Sequence, residues 1–376
     1  MSKFNVLMLN HEFPPVGGGG ARVTLELCQH LARLGHHVDV VTMHFKGTAR
    51  QEWLDQIHVY RTPALRAKTD ICRTHELATY LPGALPRVLQ LIKRHQYDLI
   101  HCHFLVPGGP LAWLVSRLAH LPYIITCHGT DVPGHNPDRF GFVHKLIGPF
   151  WRSLARNTPL LTSPSGFLRD SIIRHCPQAN VRVIPNGIEL NTFSPAEKTK
   201  SLLMCSRVFA FKGFQHVIQA VKDQALDWQV NIIGDGPYLP QLKALAQDSR
   251  TPITFWGWLD KNDARFQRLF NESAIFIFAS RAENFPTVLL EAMAAGMAII
   301  TSNAGGCMEI VGEAGLSVAP GDVEAIRAEL RKLMDSPDLR NRLAAAAQKR
   351  VKLFTWEHIT DRFVETYEEV IRSVRR

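Results

Sequence analysis

Short apolar runs alternate with stretches of helical spacing along this chain, and the series occurs twice. In the first half the runs are 5–9, 37–43, 98–101, 123–126 and 160–163, and a further run, 181–187, stops at a Pro-Asn-Gly turn. Helical stretches fall between them, at about 21–34, 85–95 and 111–118. A strand covered on both faces reads as a continuous apolar run, and parallel strands need a crossover helix to bring the chain back. The pattern therefore predicts a parallel, doubly wound sheet. Residues 188–200 are irregular and polar, so 186–200 reads as a linker. A second series then begins, with runs at 202–205, 228–233, 253–256, 274–278 and 298–301. The expected class is α/β, with two Rossmann-like αβα domains, 1–185 and 201–355, facing a central cleft that holds the ligand. Trp356, Ile359, Phe363 and Val370 recur at helical spacing and predict a long terminal helix.

Length supports the division, since 376 residues exceed the usual single domain. Charge divides the chain at the same place. Through Pro185 there are 20 Lys/Arg against 11 Asp/Glu, whereas the remainder holds 23 of each; 15 of the 17 histidines also lie in the first half. A basic half attracts a polyanion or an anionic membrane surface. The basic, aromatic stretch 139–156 suits a membrane interface, and equally suits a helix packing its apolar side on the domain. No apolar run approaches the roughly 18 residues of a membrane span. The N-terminus enters a strand-like run without a secretory pattern, and the seven cysteines form no CxxC pair. The expectation is a cytoplasmic protein, at most peripheral on the inner face of a membrane, without a disulfide framework.

The segment from Phe278 to Gly296 carries the strongest chemical signal. An apolar strand ends in a polar loop that turns into an Ala/Leu-rich helix, with Glu283 in the loop and Glu291 in the helix. A helix start offers unpaired N–H groups to an anion. Two carboxylates would repel a phosphate but accept hydrogen bonds from hydroxyls. Hydroxyl-rich and phosphate-bearing together suggest a nucleotide sugar. Arg207 and Lys212 follow the first strand of the second series and suit a diphosphate, or are two surface cations. Glycines 17–20 lie between a strand and a helix, where backbone can approach a phosphate; the alternative is a flexible turn. His128, with Gly129 and Asp131, follows a strand directly, at the ligand end of a parallel sheet. His101 and His103 are weaker candidates, and their spacing supplies no third metal ligand. Asp235 reads as a turn residue, and the backbone around Trp256 and Trp258 as a base-pocket wall or simply core and turn.

Taken together these residues resemble the retaining nucleotide-sugar glycosyltransferases of family 4, which have the GT-B fold. The Glu-x7-Glu segment 283–291 is the most specific part. The glycine loop, the His128 segment, Pro185 to Ile188, Arg207 with Lys212, Gly234 to Pro237 and the Phe354 to Glu357 opening of the last helix follow in the family's order. The resemblance implies that helix 356–376 completes the first, acceptor-side domain. It implies that Arg207 and Lys212 hold the donor diphosphate, that Glu291 binds ribose hydroxyls and that Glu283 contacts the transferred sugar. It further implies that the backbone of Asn284, Phe285, Thr287, Val288, Gly18 and Gly19 helps bind the donor, and that His128 stands beside the reacting carbon. Many relatives carry Gly where Asn284 stands. The implied activity is retaining hexosyl transfer, without metal or other cofactor, from a nucleoside-diphosphate sugar to a glycan or lipid-linked acceptor in bacterial cell-surface polysaccharide or lipopolysaccharide assembly. No nucleic-acid partner is expected.

Two other readings fit the same residues: a nucleotide-sugar epimerase or hydrolase on this scaffold, and a non-catalytic module for membranes or polyanions. A nicotinamide dehydrogenase is disfavoured, because a GxGxxG fingerprint counted from Gly17 or Gly18 meets Arg22 or Val23 at its third glycine. A pyridoxal-dependent phosphorylase lacks its lysine motif here.

Overall fold

The apolar runs become strands covered on both faces: every residue of Leu99–His103, Ser273–Phe278 and Ala298–Ser302 is buried. The computed structural model describes residues 3–69, 71–134 and 137–374, with backbone alone for 137–144. Two compact units result, one from Met1–Asn186 with Trp356–Arg376, the other from Gly187–Thr355.

The first unit is built on β1 (Asn5–Leu9), β2 (His37–Met43), β3 (Gln51–Leu54), β4 (Ile57–Thr62), β5 (Leu99–His103), β6 (Tyr123–Thr126), β7 (Leu161–Ser163) and β8 (Val181–Val183). Their order is β3-β4-β2-β1-β5-β6-β7-β8, and all pairings are parallel except that of β3 with β4. Alternate residues of β1 serve opposite cores. Leu7 and Leu9 join Val41, Ile100, Tyr80 and Trp151 on one face. Val6 and Met8 join Val38, Val40, Leu27 and Leu31 on the other, where Trp356, Ile359, Phe363 and Tyr367 close the layer. The helix Trp356–Val374 packs there against the helix Gly19–Arg33. Burying its seven large apolar side chains, Val364, Val370 and Ile371 included, stabilises the unit by on the order of 10 kcal/mol before the cost of ordering the helix.

The second unit contains β9 (Thr199–Cys205), β10 (Gln229–Ile233), β11 (Ile253–Gly257), β12 (Ser273–Phe278), β13 (Ala298–Ser302) and β14 (Gly315–Val318), all parallel, in the order β11-β10-β9-β12-β13-β14. The polar stretch read as a linker belongs to this unit. Ile188 and Phe193 are buried in its core, and the Ile188 amide donates to the Phe354 carbonyl at 2.8 Å. Their apolar side chains outweigh the polar average of the segment.

Three strands escape the sequence pattern. β3 and β4 form an antiparallel edge hairpin whose first strand alternates between exposed and half-buried residues, so no continuous apolar run marks it. β14, with sequence Gly-Leu-Ser-Val, buries only its last residue fully. The first helix begins at Gly19, two residues before the expected start. In each sheet the strand order reverses beside the central strand, between β1 and β5 and between β9 and β12. Ligand sites of open α/β sheets lie beyond the carboxyl ends of strands at such a switch point.

Candidate functional site

Arg207, Lys212 and Glu283 all follow β9 or β12, at the switch point of the second sheet. The loop after β9 is held to its neighbours by backbone: Val208 N–H donates to the Asp235 carbonyl at 2.8 Å, and Arg281 N–H to the Phe211 carbonyl at 2.8 Å. Gly213 lies between this loop and β12 with φ +78°, and a Cβ there would stand 2.1 Å from the Ala279 carbonyl oxygen. Only glycine allows that approach.

The two cations differ in setting. Arg207 is exposed, its guanidinium carbon 5.6 Å from the Phe209 ring centre. Lys212 is held in a short turn, Nζ lying 5.3 Å from the Phe211 ring centre and 5.5 Å from that of Phe278. Its ammonium donates to Oε1 of Glu283, and both side chains are only 12% exposed. The reading of both residues as surface cations therefore fails for Lys212. The Glu283 carbonyl accepts from Gly306 N–H at 3.1 Å, which ties the loop to the segment after β13.

The helix Thr287–Ala294 starts after Pro286, and no side chain caps it. Thr287 and Val288, half-buried residues, open the helix, and a helix start presents N–H groups without intrahelical partners. Asn284 is likewise half-buried, whereas the Phe285 ring is buried in the core against Phe354, so Phe285 has only backbone to offer a ligand. Glu291 is buried within this apolar helix, and Lys261, beyond β11, donates to its Oε1. Lys261 escapes a motif search, because 30 residues separate the partners. A buried glutamate nevertheless demands a counter-charge, and that requirement is the signal for it. Nearby thiols report the same fields. Burial and then Glu291 push the Cys205 thiol up. Burial and then Glu283 push Cys307 up to about 12.

Asp235 is the turn residue expected, its Oδ1 accepting from Gly236 N–H at 2.7 Å. Trp256 donates to Asn231 Oδ1 at 2.9 Å within the sheet, whereas Trp258 stands 67% exposed.

In the first unit, residues following β1, β5 and β6 gather at the other switch point. Phe104, with φ +69°, lies between two imidazoles, 4.8 Å from the His11 ring centre and 4.6 Å from that of His128. Its ring also fills the space where a Cβ on Gly20 would lie. Gly18 and Gly19 face open space, with no heavy atom of the described residues within 4 Å of an added Cβ. The buried Asp131 carboxylate organises the loops, Oδ1 accepting from His128 N–H at 3.0 Å and Gly129 N–H at 2.9 Å, and Oδ2 from Leu105 N–H at 2.7 Å. Burial lowers His128 to about 4 and His11 to about 3, so both are neutral near pH 7. His101 is engaged at both nitrogens, 2.7 Å from the Tyr367 hydroxyl and 2.7 Å from Thr126 Oγ1. His103 Nδ1 lies 2.9 Å from His128 Nε2. Neither His103 nor Tyr367 was marked as such a partner by its sequence spacing.

Among the described residues no helix is long and apolar enough to cross a membrane. Part of the stretch 139–156, the side chains of 139–144, lies outside the described residues. Beyond it Leu146 is 73% and Phe150 52% exposed, amid exposed Lys145, Arg152 and Arg156.

Residues 17–192 match the family described as Glycosyltransferase Family 4, and residues 189–350 the one described as Glycosyl transferases group 1. A sulfoquinovosyl transferase of Arabidopsis thaliana is 26% identical over 360 residues, covering 88% of this chain and 67% of its own length. Among solved structures, the sucrose-phosphate synthase of Thermosynechococcus elongatus superposes with a TM-score of 0.84 at 21% identity, over 99% of this chain and 100% of that one. HepE of Anabaena, in complex with UDP and glucose, gives 0.75 at 19% identity, over 97% of this chain and 99% of its own.

Proposed function

We propose that this chain, which belongs to the family-4 glycosyltransferases of GT-B fold, moves a hexosyl unit from a nucleoside-diphosphate sugar to a glycan or lipid-linked acceptor with retention of anomeric configuration. The observation that carries the proposal is the pairing of Lys212 with Glu283 beyond β9 and β12, with Arg207 on the same loop after β9 and the helix start at Thr287 a few residues after Glu283. The UDP and glucose bound to HepE support a donor of this class.

Breaking the anomeric C–O bond places growing charge on the diphosphate. In this reading Arg207, Lys212 and the amides of Asn284, Phe285, Thr287 and Val288 meet that charge as it develops. Lys212 has three N–H donors, so it can keep Glu283 while reaching a phosphate oxygen. Glu283 retains acceptor capacity for sugar hydroxyls, and Glu291, one oxygen held by Lys261, for ribose hydroxyls. Gly18 and Gly19 leave backbone open to the approach of a ligand. His128 is a neutral hydrogen-bonding partner for the substrate. The acceptor oxygen attacks the face that the phosphate leaves, the new C–O bond forms as the old one breaks, and the departing phosphate oxygen takes the acceptor's proton. Fixed cations and amides do the charge neutralisation in this scheme, so it calls for no divalent metal.

The basic first half favours an acceptor carrying negative charge, in cell-surface polysaccharide or lipopolysaccharide assembly. Leu146 and Phe150 among cations suit peripheral contact with an anionic membrane on its cytoplasmic side.

A thermal-shift panel of nucleotide sugars identifies the donor through stabilisation by mass action. With that donor, Arg207→Ala is expected to lower kcat/KM by roughly 100-fold or more. Glu291→Gln is expected chiefly to raise the donor KM. Parent-like transfer by both variants, each shown to be folded, defeats the assignment, and release of an epimer or free sugar from donor alone replaces transfer by the epimerase or hydrolase reading. The anomeric configuration of the product checks retention directly.

A further inference from the structure

We propose that His103 is a positioning residue: it donates from Nδ1 to Nε2 of His128 and fixes His128 in the tautomer that carries its proton on Nδ1. His103 is the last residue of β5 and is fully buried. Its ring lies edge to edge with that of His128, with centres 5.2 Å apart and planes 18° apart, and the facing nitrogens are 2.9 Å apart. Asp131 holds this register by accepting from both Leu105 N–H and His128 N–H, one from the loop after each strand.

A hydrogen bond between two neutral imidazoles has one proton in the bridge, and the remaining nitrogens decide which ring supplies it. Nε2 of His103 is buried without a hydrogen-bond partner among the described residues. If His128 were the donor, His103 would carry its proton on that nitrogen, and an N–H would be stranded in the protein interior. If His103 is the donor, only a lone pair is stranded. Buried orphan N–H groups are the rarer and costlier of the two. A charged pair is excluded by the same burial, which drives both imidazoles toward the neutral form.

The consequence is chemical. With Nε2 occupied as an acceptor, His128 cannot take the acceptor's proton there. What it carries is an N–H on Nδ1, a donor suited to an oxygen lone pair such as that of a sugar hydroxyl. The inference deepens the proposed function and, for its effect on turnover, rests on His128 meeting the substrate.

Nitrogen NMR of protein labelled with 15N at histidine tests the tautomer without any turnover, with the His128→Ala spectrum identifying the resonances. An unprotonated Nε2 and a protonated Nδ1 on His128 are expected; a proton on His128 Nε2 overturns the inference. In transfer assays, His103→Leu is expected to lower kcat about tenfold, the scale of one hydrogen bond, with the donor KM unchanged. His103→Asn, whose amide can donate near the place of Nδ1, is expected to recover most of that loss. Equal losses in the two variants with an unaltered His128 tautomer refute the positioning role, and the labelled parent decides the matter if His103→Leu does not fold. Intact transfer by His128→Ala instead removes the catalytic reading of His128, an outcome distinct from the tautomer result.

Discussion

Replacing Lys212 with methionine separates charge from packing at the junction of β9 and β12. Methionine retains an unbranched apolar stem against Phe211 and Phe278, the two rings within 5.5 Å of Nζ. What disappears is the partner of Glu283. Two unit charges in contact attract by about 4 kcal/mol at an effective dielectric of 20. In the intact pair, desolvation of both groups offsets much of that attraction. In Lys212→Met the desolvation of Glu283 remains with nothing set against it, and breaking a buried pair in this way costs about 3–5 kcal/mol. Each side chain here is still 12% exposed, and residual hydration lowers the expectation to about 2–3 kcal/mol. Urea denaturation at pH 7 measures the loss as a lower midpoint at unchanged slope. Lys212→Met/Glu283→Gln removes the stranded charge and should recover most of the stability, giving a coupling of about 2 kcal/mol in the double-mutant cycle. A single variant as stable as the parent, or a double variant less stable than the single, would falsify the view that this pair clamps the two loops.

Gly213→Ala should be more damaging than its size suggests. Its Cβ would meet the Ala279 carbonyl oxygen at 2.1 Å and carbon at 2.7 Å, backbone atoms that cannot rotate away. With the left-handed φ penalty added, a loss of about 2–4 kcal/mol and weakened donor binding are expected, and a parent-like urea midpoint would contradict the close approach. Stability should also fall in mild acid. Burial depresses His11 and His101 to about 3 and His128 to about 4, from an ordinary value of 6.5. Below pH 6.5 the unfolded chain therefore binds protons that the native state refuses. The stabilisation is fully present above 6.5 and is lost as pH falls toward the native values, by up to about 1.4 kcal/mol per pH unit for each group. A melting temperature that stays flat from pH 7 to 4.5 would count against neutral buried imidazoles.

The central strands are legible because burial on both faces leaves an unbroken apolar run. β1, β2 and β6 coincide with runs read from sequence alone. β3 and β14 are not legible, since an edge strand alternates or is interrupted by small polar residues. Ile188 and Phe193 show the converse error, two buried side chains hidden in a polar average. At the site, local sequence marks Lys212, Glu283, Glu291 and His128 by their place at strand ends and helix starts. It does not reveal that Lys212 meets Glu283, 71 residues on, because that contact arises only when β12 pairs with β9. Lys261 with Glu291 and His103 with His128 are hidden for the same reason: topology, not spacing, makes them neighbours.

The return of Trp356–Val374 to the first unit makes that unit discontinuous, with Gly187–Thr355 interrupting it. During synthesis the interrupting unit has its whole core available while Trp356, Phe363 and Tyr367 are still to be made. Until they arrive, Leu27 and Leu31 lack their apolar cover and His101 lacks the hydroxyl that engages Nδ1. The later-encoded unit can thus mature first, and a ribosome that stops at Thr355 releases a finished second unit attached to an exposed, adhesive first one.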